Sequence, residues 1–181
     1  HPMTADQILV RPAAPAPERQ VVLAAFCERL EALGPGDRAR LKRCSGRSMG
    51  ESTEVLGLFF RLIGPGVAPW QEETLFLVAT LFPLAEPAQI GSLGASLARA
   101  RTASNASGLD RRVERLLDAD EAQLPFRLRQ AIHLLHSQRV GVEWSRLAAD
   151  LLQWNHPDRY VQKEWARAYF SPRESEDVPT E

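Results

Sequence analysis

The chain has 181 residues, 44% of them hydrophobic and 25% charged, with a net charge of −1. That is an ordinary globular composition, long enough for one sizeable core or two small ones. No apolar run approaches the roughly 18 residues that a membrane span requires, and no export signal follows Met3, which reads as the native start behind a His1–Pro2 remnant. A cytoplasmic location is expected. Cys27 and Cys44 lack metal-ligand spacing and read as buried thiols on helices.

Residues 1–17, with Pro2, Pro12, Pro15 and Pro17, read as a flexible leader. A first helix is predicted over Glu18–Leu33, stopped by Gly34-Pro35-Gly36, and Asp37 then caps a short basic helix ending near Cys44. Ser45–Gly50 is a loop. Thr53–Ile63 and Trp70–Phe82 are apolar helices separated by Gly64-Pro65-Gly66, the second with Glu72 and Glu73 where the macrodipole favours acids. Its LFLVATLF run is apolar on nearly all sides, which places it centrally. Beyond Pro83 and Pro87 come helices over Ser92–Arg101, Leu109–Asp118 and Pro125–Ser137, with Thr102–Gly108 a loop. Val142–Phe170 holds three of the four tryptophans and reads as two amphipathic helices broken at Asn155-His156-Pro157. Trp144, Leu147, Ala148 and Leu151 share one face there, with Leu152 and Trp154 extending it; Val161, Trp165, Ala168 and Tyr169 share the other. No strand alternation persists anywhere. The predicted class is all-α, with about nine helices in two small bundles over 18–85 and 86–170 and an acidic tail over 171–181.

A near-neutral total argues against a nucleic-acid binder, but charge distribution matters more than the sum. Arg38, Arg40, Lys42, Arg43 and Arg47 occur with no acid among them, whereas Glu51 to Glu86 is acidic apart from Arg61. Arginines dominate again between Arg99 and Arg146. Lys42 and Lys163 are the only lysines. An arginine bias suits phosphate and base recognition, because the guanidinium forks onto phosphates and stacks. It equally fits a biased nucleotide composition, since Ala, Leu, Gly and Pro are abundant too.

At 100° per residue, Leu109, Val113, Leu116 and Leu117 form one stripe, Arg111, Arg112 and Arg115 one flank, and Asp110, Glu114 and Asp118 the other. The alternative to a binding edge is a solvated helix with local ion pairs, although Arg111 and Arg115 repel unless an anion is near. Arg38 and Lys42 share an outward face with Arg43 beside them. Leu128, Ala131, Ile132 and Leu135 make a buried stripe that Arg127 and Arg129 flank on opposite sides. A track touching about five or six phosphates would give a log–log salt slope of about −4 on a single strand. It would bind without reading bases.

The order of motifs resembles the small-subunit (CasB) family of the type I-E CRISPR surveillance complex, Cascade. A G-x-x-A-x-L-R/K-R stretch appears as Gly36–Arg43, followed by Phe59-Phe60-Arg61-Leu62 and the tryptophan-led helix Trp70–Phe82. A G-x-S-L-G-x-x-L-A segment appears, without its spacer residue, as Gly91–Ala98. Two basic helices and the terminal L-L-x-W…W-A-R-x-Y-F complete the set, over about Leu33–Phe170. The resemblance implies a non-catalytic helical subunit without cofactor or metal. Its expected partners are the guide-RNA-bound backbone subunits, the large subunit, a second copy of itself, CRISPR RNA and target DNA, and no membrane. The family's basic surface is thought to steady the unwound DNA, above all the displaced strand. Its basic positions fall on Lys42, Arg43, Arg111, Arg112, Arg127 and Arg129, and less directly on Arg99 and Arg101; Arg38 and Arg115 join them on helix geometry.

Other readings are set beside this one. His156-Pro157-Asp158 has the triplet by which J-domain co-chaperones engage Hsp70, but the preceding helix carries Arg146 against Glu143 and Asp150, and the Y-x-x-L-G start is missing. Its plainer meaning is a Pro157-led helix start with Asp158 in the first turn. His133 and His136 share a helix face without a third ligand nearby. No metalloprotease, redox, nucleophile-elbow or P-loop spacing occurs, and Gly34–Arg38 lacks the Lys-Ser/Thr of a phosphate cradle. A helical scaffold without a nucleic-acid role is the remaining alternative.

Overall fold

The computed structural model describes residues 17–171, so the expected leader and acidic tail lie outside the described residues but for Pro17 and Ser171. Nine α-helices follow in order among them: α1 Pro17–Glu31, α2 Pro35–Arg43, α3 Leu56–Leu62, α4 Glu72–Leu81, α5 Leu93–Ala100, α6 Ala106–Leu117, α7 Leu124–Ser137, α8 Trp144–Leu152 and α9 Tyr160–Phe170. Extended pairing among the described residues is limited to a parallel bridge, in which the Val142 N–H donates to the Glu86 carbonyl and the Ala88 N–H to the Val142 carbonyl, at 2.9 Å each. The all-α expectation holds.

The differences lie at helix ends and have local causes. α2 starts at Pro35, whose missing N–H costs nothing at the first helical position. The Thr53–Ile63 helix divides into a 3₁₀ turn, Thr53–Val55, and α3, and α4 is entered through another at Pro69–Gln71. α6 begins before Leu109 because Asn105 builds its own turn: its side chain accepts from the Thr102 N–H at 2.7 Å and donates to the Ala100 carbonyl at 3.0 Å. α9 begins at Tyr160 rather than Pro157. Arg159 sits in the left-handed region (φ 51°), and His156–Arg159 forms the turn.

α4 is buried from Leu75 through Leu81, as its unbroken apolar run requires. After α4 a 3₁₀ turn covers Phe82–Leu84. α1 and α4 both pack on α8, and the buried residues before and after this turn belong to one core cluster. The terminal aromatics close that core. Trp154 and Trp165 are buried with ring centroids 5.1 Å apart, and the Trp154 indole donates to the Ala119 carbonyl at 2.9 Å. Asp150, only 6% exposed, accepts from the Trp165 indole at 2.8 Å and from Arg146 at 3.2 Å. Burial outweighs these donors and raises its pKa.

α5 and α9 make the most intimate helix pair, and Gly94 permits it. A Cβ there would stand 2.3 Å from the Trp165 carbonyl oxygen and 2.7 Å from its Cα, both backbone atoms that cannot swing away. Gly94→Ala is therefore expected to destabilise the fold by about 3 kcal/mol through overpacking, lowering the melting temperature by about 6–12 °C. A thermal melt unchanged from wild type would contradict this account of the α5–α9 contact.

Candidate nucleic-acid interface

α7 organises the basic residues. Leu124, Leu128, Ile132 and Leu135 are buried, which turns Arg127 and Arg129 to opposite flanks. Arg127 turns toward α6, where it lines a narrow crevice with Arg112 and Gln130 over an apolar floor that includes Val113, Leu116 and Ala131. Its Nε atom is buried without a hydrogen-bond partner among the described residues, and its guanidinium lies 5.6 Å from the Phe126 ring centre.

Arg129 turns toward the end of α2. The chain reverses there at Gly46, whose φ of 77° favours glycine and which lies against the aliphatic part of Arg129. Thr80, fully buried on α4, holds this turn: its carbonyl accepts from the Ser45 hydroxyl at 3.0 Å and its hydroxyl from the Gly46 N–H at 3.4 Å. Lys42 and Arg43 stand exposed on the last turn of α2. The charges of Arg129 and Lys42 both reach His133, the next outward residue of α7. Desolvation of its inner side, then Arg129, Lys42 and His136, lower its pKa below the ordinary imidazole value.

The two edges of α6 have separate fates. On the acidic edge, Asp110 accepts from Arg101 Nε at 3.0 Å and from the Tyr169 hydroxyl, and those two donors lower its pKa. Burial and Asp110 raise that of Tyr169. On the basic edge, Arg111, Arg112 and Arg115 are exposed and have no carboxylate within ion-pair distance among the described residues.

The expected cations thus divide. Arg112 and Arg127 line one crevice, while Arg129 and Lys42 are linked through His133, whose imidazole feels both charges. Arg43, Arg111 and Arg115 extend those positions along α2 and α6. Arg99 is exposed near the end of α5, with no contact placing it in either group. Arg101 is held by Asp110, so it is a structural cation in this arrangement. Arg38 is half-buried, its guanidinium 5.3 Å from the ring centre of buried Phe82, and acts as a lid on the core. Arg40 and Arg146 are likewise occupied, by Asp37 and by Asp150 with Glu164.

Other candidates fare differently. Cys27 and Cys44 are both buried, with burial raising the Cys27 thiol to about 12. His156 is turned inward: its Nδ1 accepts from the Asp158 N–H at 3.1 Å, and its ring lies edge-on to Tyr160. No group of three metal-ligating side chains occurs among the described residues, so His133 and His136 stand without a third donor. No helix among them is long and apolar enough to cross a membrane. Sequence reading missed Gly46, Thr80 and Phe126. The signals were present in Gly46 between basic segments and in an apolar residue at the wrong angle for the α7 stripe.

These features define an all-helical protein in which Lys42, Arg43, Arg111, Arg112, Arg115 and Arg129 are exposed with no carboxylate in ion-pair distance among the described residues. The chain belongs to the family of CRISPR-associated protein Cse2, whose family model matches residues 37–170. It is 38% identical to the CRISPR-associated protein Cse2 of Thermus thermophilus over 109 residues, a stretch covering 59% of this chain and 62% of that relative's length. The fold matches the crystal structure of M. ruber CasB with a TM-score of 0.68 at 30% identity, over 85% of this chain and 93% of that one. A chain of a CRISPR RNA-guided surveillance complex matches with a TM-score of 0.71 at 26% identity, over 84% and 93% respectively.

The field at His133 can be measured directly. Its imidazole should titrate below the ordinary histidine range in the unbound protein and shift upward when a single-stranded oligonucleotide is bound, because phosphates offset Arg129 and Lys42. Binding should tighten correspondingly as pH falls through that range, and His133→Ala should remove that part of the dependence. An NMR titration unmoved by the strand would separate His133 from the interface.

Proposed function

We infer that this chain is a small subunit of a CRISPR RNA-guided surveillance complex, where it grips nucleic-acid backbone as a binding subunit rather than an enzyme. In this reading it lies among the guide-RNA-bound backbone subunits and the large subunit, beside a second copy of itself. Its cations hold the unwound target DNA, chiefly the displaced strand, so that the R-loop persists. The observation supporting the reading is that Arg127 and Arg112 line one crevice and Arg129 lies against the turn after α2, with no carboxylate within ion-pair reach of them among the described residues. Like charges without nearby carboxylates repel one another, and a polyanion would relieve that repulsion.

Magnitudes support a modest role. Exchanging a DNA duplex for a guide heteroduplex is nearly balanced, so a few backbone contacts are enough to tip it. A net charge of −1 disfavours strong binding by the chain alone, and fits contacts made within a larger assembly.

The test is charge reversal at Arg111 and Arg112 in a complex reconstituted with guide RNA. Both side chains are exposed on the edge of α6 away from the core. The doubly reversed variant should still co-purify with its partners, but its R-loop should dissociate at least about tenfold faster, a cost of about 1.4 kcal/mol spread over two lost contacts. An unchanged R-loop lifetime would refute strand contact at α6. Failure of the wild-type chain to co-purify would remove the assembly reading.

A further inference from the structure

We propose that Phe126 is a stacking platform for an unpaired base, which makes this face selective for single-stranded over duplex nucleic acid. The proposal deepens the strand-holding role and rests on it.

Phe126 is 57% exposed in the first turn of α7, so its ring face is open to a partner. At 100° per residue it lies about 100° from Arg127 and about 60° from Arg129. The ring therefore stands on the outward ridge of α7, between the flank facing Arg112 and the flank facing Lys42. Gln130 and His133 follow it along the same ridge, so the surface around it is polar and cationic rather than apolar. An apolar protein partner would have to desolvate Arg127, Arg129 and His133 to reach the ring, whereas a nucleotide supplies a π-face for it and a phosphate for them.

Arg127 adds a second element. Its guanidinium lies over the Phe126 ring, and its Nε, buried and without a partner among the described residues, remains a donor to be satisfied. A base stacked on the exposed ring would extend this Arg–Phe pair, and its backbone would run past the crevice that Arg112, Arg127 and Gln130 line. Aromatic rings flanked by cations are the usual means of holding single strands without reading sequence, because every base has a face to stack. A duplex keeps its bases stacked on one another and offers the ring nothing.

The experiment compares the full chain's affinity, at low salt, for a short single strand, an abasic strand with the same phosphates and a duplex, using DNA and RNA versions to identify the preferred sugar. Wild type should prefer the base-bearing strand. Phe126→Ala should weaken that binding by about 5- to 150-fold and leave the abasic strand and the duplex unaffected, while Phe126→Trp should restore it. Equal wild-type affinity for base-bearing and abasic strands would overturn stacking and leave backbone contact standing. Absence of binding to every strand would overturn both. In the assembled complex, loss of co-purification by Phe126→Ala would make the ring a subunit contact and overturn the platform.

Discussion

The burial of one face of α7 constrains everything placed around it. Leu128, Ile132 and Leu135 have no exposed surface, and a fully buried leucine or isoleucine contributes on the order of 1.5–3 kcal/mol. The helix cannot rotate about its axis without exposing them. Arg127 and Arg129 are therefore fixed on opposite flanks, one beside Arg112 and the other beside the turn that ends α2. Phe126 is held on the ridge between them by the same constraint. Core packing thus sets the spacing of the cations, and no direct contact among the cations is needed to do so.

The low net charge is reconciled with a basic face by where the acids go. Asp110, Asp37, Asp150 and Glu164 are bound to Arg101, Arg40 and Arg146 rather than to the cations around α7. Tyr169 and Trp165 on α9 donate to Asp110 and Asp150, so the closing aromatic helix also holds two carboxylates in place. α6 makes the separation most clearly: one edge is tied to α5 and α9 through Asp110, and the opposite edge presents Arg111, Arg112 and Arg115.

Much of this was legible in the residues. Periodicity gave the α6 edges and the two flanks of α7, because a 100° step per residue fixes relative directions within a helix. It also gave the buried run of α4 and the aromatic closure by Trp144, Trp154, Trp165 and Tyr169. Contacts between helices were beyond it. Nothing local shows that Arg101 would meet Asp110, that Arg38 would lie over Phe82, or that Thr80 would carry the Ser45–Gly46 turn. Helix ends slipped where side chains write their own turns, as at Asn105, or where a non-glycine residue adopts the left-handed region, as at Arg159. Phe126 escaped notice because an aromatic residue beside a buried stripe reads as part of it until its angle is taken seriously.

The salt dependence of single-strand binding tests the central claim most directly. The slope of log affinity against log salt should be about −4 for the wild-type chain, and Lys42→Ala, Arg112→Ala, Arg127→Ala and Arg129→Ala should each reduce its magnitude by about 0.7. A wild-type slope near zero, or one that these four substitutions leave in place, would contradict a polyanion track organised by α7.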